Sequence, residues 1–464
     1  MKATVIIMML LLFNKSNATI YYVNPSSTSV IADGTLANPW KTIEDVNNGT
    51  SLLNPGDMVL FKRGETFSGK LNILRSGTFD SPIVYGNYGS GNLPEFETPF
   101  SDIINIKNSE YVVIDGIKIT DKSIDKKDHS ILANISYAIN IDNSPNCTVK
   151  NCDISLVGIG ISVNKGSDFT TITGNYIYNL RMVRNTPTSI NGDDDFGANP
   201  MVIGSSNNII SYNRLENCWA ISYDYGYDGG AVEFFGDTMN NNKILYNSAI
   251  NCNGFIEIGS NTKGIASDNI IGYNKIINCG YLGVYHNGPT FTVSINNLQY
   301  FNNNVIETIQ QFTQPTVLFW MEDIGTQGMI VLKNNIFWLS SGIDFATKKL
   351  DLGQIIHSNN IYRMSSGSLG ITLGSNEILN DSINLFSNTS GSPSEWDYTL
   401  VRGSIAIDNG IDVGFNQDFI GNTINGNPDI GILEYTVSIF VKSSEIVFTF
   451  LKSVQSLFGI PILL

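Results

Sequence analysis

The chain has 464 residues, with 42 Asp and Glu against 27 Lys and Arg and a formal net charge of −15. Nucleic acid and anionic membrane surfaces are held mainly through Lys and Arg, so an acidic balance of this size argues against both as partners. Length alone suggests about three domains, but self-similar segments run almost throughout and point to one elongated domain.

Residues 1–18 open with Lys2, continue in a nine-residue apolar run from Val5 to Phe13 and close on the small residues Ser16 and Ala18. This is the pattern of a secretory signal cleaved after Ala18, and the run falls short of the roughly 20 residues a bilayer crossing needs. The mature protein is therefore expected to be secreted, periplasmic or at the cell surface, as a monomer free of the membrane. Five cysteines in an exported chain could form a disulfide framework. Three of them share one repeat position, so they are expected as free thiols; Cys147 and Cys152 are the neighbours that could pair.

From Thr19 the chain shows a Gly/Asn/Pro turn cluster, an amphipathic helical piece around Trp40 to Val46 and a strand from Asp57 to Phe61. A short helix ahead of the first coils would cover an open apolar end, as terminal caps of repeat proteins do. Three consecutive segments then share one pattern: SYNRLENCWAIS, LYNSAINCNGFIEIGS and GYNKIINCGYLGVYHNG. Their Asn falls at 213, 247 and 274, and Cys218, Cys252 and Cys279 each follow five residues later. The same position recurs upstream at Asp115, Cys152 and Asn175 and downstream at Asn303, Asn334 and Asn359. Successive spacings from 115 to 359 are 37, 23, 38, 34, 27, 29, 31 and 25. A period in this range without helical periodicity signals a β-solenoid. Repeated amides at one turn are expected to hydrogen-bond along the stack. Between them lie short alternating strands such as Val112-Val113-Ile114 and Ile159 to Val163.

The segments YYVNP, DGTLANPWKTI, LLNPGDMVLFKRGETFSG and SPIVYGNYGSG, with SIAIDNGIDVGFNQDFIGNTINGNPDIGILEY near the end, resemble secreted right-handed parallel β-helix proteins of the pectate-lyase-like superfamily. The resemblance implies an all-β, right-handed parallel β-helix over residues 19–435 with a short N-terminal cap helix. Polygalacturonase-like hydrolases of that superfamily carry Asn-x-Asp, Asp-Asp, Gly-His-Gly and Arg-x-Lys motifs. Here Asn191-Gly192-Asp193 and Asp193-Asp194 crowd into one loop and the other two are missing, so no catalytic residue carries over. The tail 436–464 has no asparagine ladder and reads as a cap helix or as an abnormal end of the reading frame.

The long spacings locate insertions at Arg184 to Ala198 and Tyr223 to Gly230, nine or ten residues after their Asn. They should leave neighbouring coils at the same turn and form one cleft wall. After each a strand resumes, and aligning Val232 with Ile256 and Phe234 with Ile258 as inward residues turns Glu233 and Glu257 outward together. The next coil brings Tyr285 and His286 to the comparable place. Stacked carboxylates about 4.8 Å apart either split their pKa values or bind a cation. Acidic side chains interleaved with aromatics suit sugar rings. The catalytic candidates are Glu233, Glu257, Asp228, Asp224 and His286, and the substrate-binding candidates are Tyr223, Tyr225, Tyr227, Trp219, Tyr285 and Arg184. Asp193, Asp194 and Asp195 are candidate calcium ligands.

Paired carboxylates suit a glycoside hydrolase acting on a polysaccharide, with no cofactor required. A uronate lyase would instead need calcium and a base such as Lys263, His286 or a tyrosine. Eight acidic against two basic residues between Arg184 and Asp237 favour the hydrolase, because a polyuronate would meet like charge. The non-catalytic alternative is a glycan-binding or adhesive surface solenoid.

Overall fold

The computed structural model describes residues 18–97, 101–286, 292–310, 312, 317–321, 328–346 and 355–436. The expected signal at 1–18 lies outside these residues apart from Ala18, as does the tail beyond 436. Three long parallel sheets dominate, of 12, 12 and 10 strands, and each coil contributes one strand to each in turn. This is the right-handed parallel β-helix of the sequence reading, the hand that parallel crossovers take. Strand Val112–Asp115 lies in the first sheet, Lys118–Thr120 in the second and Tyr137–Asp142 in the third, and the cycle then repeats. Inward residues at period two fill the interior, where Ile104, Ile139, Ile161 and Met201 stack without exposure in adjacent coils.

The cap helix spans Ile43–Asn48, slightly later than expected, because Thr42 and Asp45 form a reciprocal capping box that fixes its start. It buries Ile43 and Val46 over the first coil. Close packing there depends on Gly69, where a Cβ would come within 2.8 Å of Ile43 Cβ.

The asparagine ladder is continuous. Each backbone N–H and each amide Nδ2 from Asn175 through Asn213, Asn247, Asn274, Asn303 and Asn335 donates to the Oδ1 of the next, ending at Asn360. Asn360 Nδ2 then donates to the carboxylate of Glu377 at 2.6 Å. Two ends of the sequence register need correction. Asn334 and Asn359 take left-handed backbone (φ 60° and 56°) one residue before the ladder amide, and Ile117, not Asp115, shares the column with Cys152.

All five cysteines are free and buried. Burial drives the Cys252 and Cys279 thiols well above their usual range, so the native protein should resist thiol reagents. Alkylation of unreduced, denatured protein is expected to add five labels by intact mass; fewer would contradict the free column.

The C-terminal part folds back over the helix. The pair Phe386–Asn388 and Asp397–Leu400 belongs to a cluster with Ile277, Ile306, Ile336, Trp338 and Ile361 that shields the apolar downstream half of the second sheet's outer face. Beyond it, the left-handed amides Asn302, Asn334 and Asn359 donate to the backbone oxygens of Asp429, Ile411 and Asn409. No helix among the described residues is long and apolar enough to cross a membrane.

Candidate active site

Strands Asn199–Ile203, Val232–Phe235 and Ile256–Gly259 are neighbours in the third sheet. Val232 pairs with Ile256, Glu233 with Glu257 and Phe234 with Ile258. Because Val232, Phe234, Ile256 and Ile258 are buried, alternation turns both glutamates to the outer face, where each is half-buried. Glu233 Oε2 accepts from Asn199 Nδ2 at 2.8 Å, and Glu257 Oε1 lies 2.8 Å from His286 Nε2. Burial, then the charge of Glu257, then Asp228 push the Glu233 carboxyl well above its ordinary range. Asp228 is raised for the same leading reasons, although Gly229 N–H, 2.7 Å from Oδ1, partly opposes the shift. Three carboxyl groups thus share one depression, where burial and like charge raise Glu233 and Asp228 together.

Aromatic groups surround them. Tyr281 feels Glu257, and burial pushes its hydroxyl up to about 12. Trp320 meets the His286 ring edge-on at 5.6 Å. At Gly259 an added Cβ would lie 3.3 Å from the Phe235 ring and 3.5 Å from His286, so the bare glycine lets those rings sit beside the glutamates.

The two insertions lie side by side, joined by a reciprocal lock. Asp195 Oδ2 accepts from Ser222 Oγ (2.7 Å), Tyr223 N (2.8 Å) and Asp224 N (3.0 Å), while Asp224 Oδ2 accepts from Asp194 N and Asp195 N. A third insertion at residues 121–135, unassigned in the sequence, joins the same wall. Its His129 ring stacks on Trp219 at 3.7 Å, and its carbonyl accepts from Ile221 N. The 37-residue spacing between Asp115 and Cys152 was the signal for it.

Several site expectations need correction. Asp224 braces the two loops: Thr188 Oγ1 and two backbone N–H groups hold its carboxylate below the usual range. Tyr285 is fully buried, its hydroxyl 2.7 Å from that of Tyr300, so it cannot touch substrate. Trp219 and Tyr227 pack with His129 and Phe312, whereas Tyr223 and Tyr225 stay exposed. Arg184 is exposed and pairs with Asp194 at 3.5 Å. Asn199, Tyr281, Trp320 and Phe235 went unnoticed in the sequence because no repeat marks them.

Oxygens of Asp194, Asp195 and Asp224 draw within 4.8 Å of one another, and Asp193 instead accepts from the Tyr225 hydroxyl. All six oxygens of the three already face donors, the remaining ones being Thr186 N and Oγ1, Thr188 Oγ1 and Arg184 Nη1. Calcium takes 6–8 oxygen ligands, whereas these oxygens are already engaged by donors that brace the two insertions together. Chelation is accordingly expected to leave the melting temperature unchanged; a fall of several degrees, reversed by calcium, would contradict the brace.

The right-handed parallel β-helix is a fold found in solved carbohydrate-active proteins. Among solved structures, pectate lyase Pel9A aligns with 91% of this chain and 97% of its own, at TM-score 0.56 and 14% identity. A GH136 lacto-N-biosidase from Eubacterium ramulus aligns with 78% of this chain and 68% of its own, at TM-score 0.40 and 14% identity. In sequence, the lacto-N-biosidase of Bifidobacterium longum is 35% identical over 80 residues, which make up 17% of this chain and 5% of that protein. No family model matches.

Proposed function

We propose that the protein is an exported glycoside hydrolase acting on a polysaccharide or oligosaccharide, with Glu233 as general acid and Glu257 as its ionised partner. The coupling of these two outward carboxyls on adjacent coils carries the reading. A glycosidic bond breaks when a carboxylic acid protonates the leaving oxygen while a carboxylate attacks the anomeric carbon or deprotonates water. Burial and the charge of its neighbour raise the Glu233 carboxyl, which suits the first task. Glu257, oriented by His286, suits the second. Asp228, raised by the same causes, is a further proton carrier in the same depression.

Backbones of adjacent coils lie about 4.8 Å apart, near the carboxyl separation of about 5–5.5 Å that goes with retention of configuration. The short sequence match to a protein named as a biosidase supports glycosidic chemistry. Uronate elimination is less favoured, because a substrate carboxylate would enter beside the charge of Glu257 in a depression that already raises two carboxyl groups. Nearby cations Arg184 and Lys165 already pair with Asp194 and Asp237. Tyr223 and Tyr225 present faces for sugar rings at the rim. Purified protein is to be screened on a glycan panel, reading both reducing ends and absorbance of unsaturated products. New reducing ends without absorbance are expected; absorbance with them would establish a lyase, and neither would leave the binding solenoid.

A further inference from the structure

A second groove lies on another face of the molecule, away from the glutamates. Its floor is the outer face of the second sheet, and its rim is the returning C-terminal segment at Ser394 and Glu395. Its volume of about 530 Å³ falls within the range of small-molecule sites.

The floor is built on one outward column. Arg214 pairs in register with Ser248, and Ser248 with Lys275, in three successive coils. Adjacent coils are about 4.8 Å apart, so two long cationic side chains flank a short hydroxyl and leave a slot above it. Glu216 Oε1 takes the Nε and Nη2 of Arg214 at 2.6 and 2.5 Å, and its other oxygen accepts from the Tyr176 hydroxyl. Arg214 Nη1 carries no protein hydrogen bond among the described residues. Lys275 likewise has no carboxylate within ion-pair distance among them; its ammonium lies 5.7 Å from the centre of the Tyr398 ring. Burial and the charge of Arg214 lower the Lys275 pKa, partly opposed by Glu216, and an anion between the two cations would relieve the remainder. Asn217 and Asn251 also line the groove, with donors and acceptors for hydroxyl groups, and Glu395 on the rim supplies a further acceptor.

We infer that this groove is a non-catalytic saccharide site that takes a carboxylate-bearing sugar, its carboxylate held by Arg214, Ser248 and Lys275 and its hydroxyls by the amides and Glu395. The inference does not depend on the hydrolase reading, since it is read by binding alone.

Isothermal titration of the full protein tests it, with a glucuronate-terminated disaccharide, the carboxyl-reduced disaccharide and inorganic phosphate as probes. The carboxylated sugar is expected to bind at least about tenfold more tightly than the reduced one. Lys275→Met and Ser248→Leu should each abolish that preference while cleavage at the glutamate cleft stays at the parent rate. Ser248→Leu fills the slot without touching the Tyr398 contact, so it decides the matter if Lys275→Met disturbs the rim. Equal binding of the two sugars to the parent, or a preference that survives both variants, would overturn the site. Phosphate displacing the sugar at equal concentration would reduce it to a general anion site and overturn the assignment to a sugar.

Discussion

Glu233→Gln is expected to lower turnover by about 100-fold or more, the loss typical of a missing general acid or base, while the protein stays folded. The side chain points away from the interior, its single described hydrogen bond is to Asn199, and a glutamine amide oxygen can still accept it. Its raised pKa fixes the direction of the pH dependence. The protonated form is the acid, so activity is lost as pH rises through the raised value, and this is the basic limb of the profile. Stability follows the same sign. Native Glu233 binds its proton more tightly than unfolded Glu233, so its contribution is fully present below the unfolded pKa near 4.3 and is lost as pH rises through the folded one. Glu233→Gln should therefore be more stable than the parent at neutral pH and equal to it in acid, which thermal melts across pH will read. A variant that folds and cleaves at the parent rate would move the chemistry elsewhere.

Asn247→Ala is expected to be the most damaging single truncation in the coil stack, costing about 3 kcal/mol or more. The residue is fully buried near the middle of the ladder. Its Oδ1 accepts from Asn213 N and Nδ2, and its Nδ2 donates to Ile210 O and Asn274 Oδ1. Alanine orphans several of these at once in a dry interior, at roughly 1–3 kcal/mol for each buried group left unpaired. Each coil contacts only its neighbours, so a break in the middle separates two halves that rely on each other. Denaturant melts should show the midpoint fall sharply, and a shift under 1 kcal/mol would mean that water replaces the amide.

Much of the site could be read from the chain because solenoid register is strict. Period-two alternation anchored by Val232, Phe234, Ile256 and Ile258 placed Glu233 beside Glu257, and the common offset from Asn175 and Asn213 placed the two loops together. Tyr285 could have been read the same way: it pairs with Ile258, an inward position, so its burial follows from the alternation that turned Glu257 out. The lock between Asp195 and Asp224 was not legible, because its donors are mostly backbone N–H groups, which every sequence has. Nor was the covering of Trp219 by His129, two residues 90 positions apart that meet through separate insertions. The C-terminal return escaped because its partners are left-handed asparagines, whose freed amides look in sequence like further members of the ladder.

The shared ionisation of the outward carboxyls can be observed without any substrate. Carbon-13 NMR titration of glutamate side-chain carboxyls should show a resonance titrating well above the ordinary range that disappears in Glu233→Gln and moves to lower pH in Glu257→Gln. If the Glu233 signal instead titrates as an ordinary carboxylate, and does so unchanged when Glu257 is neutralised, the two are independent surface charges and the proposed acid does not exist.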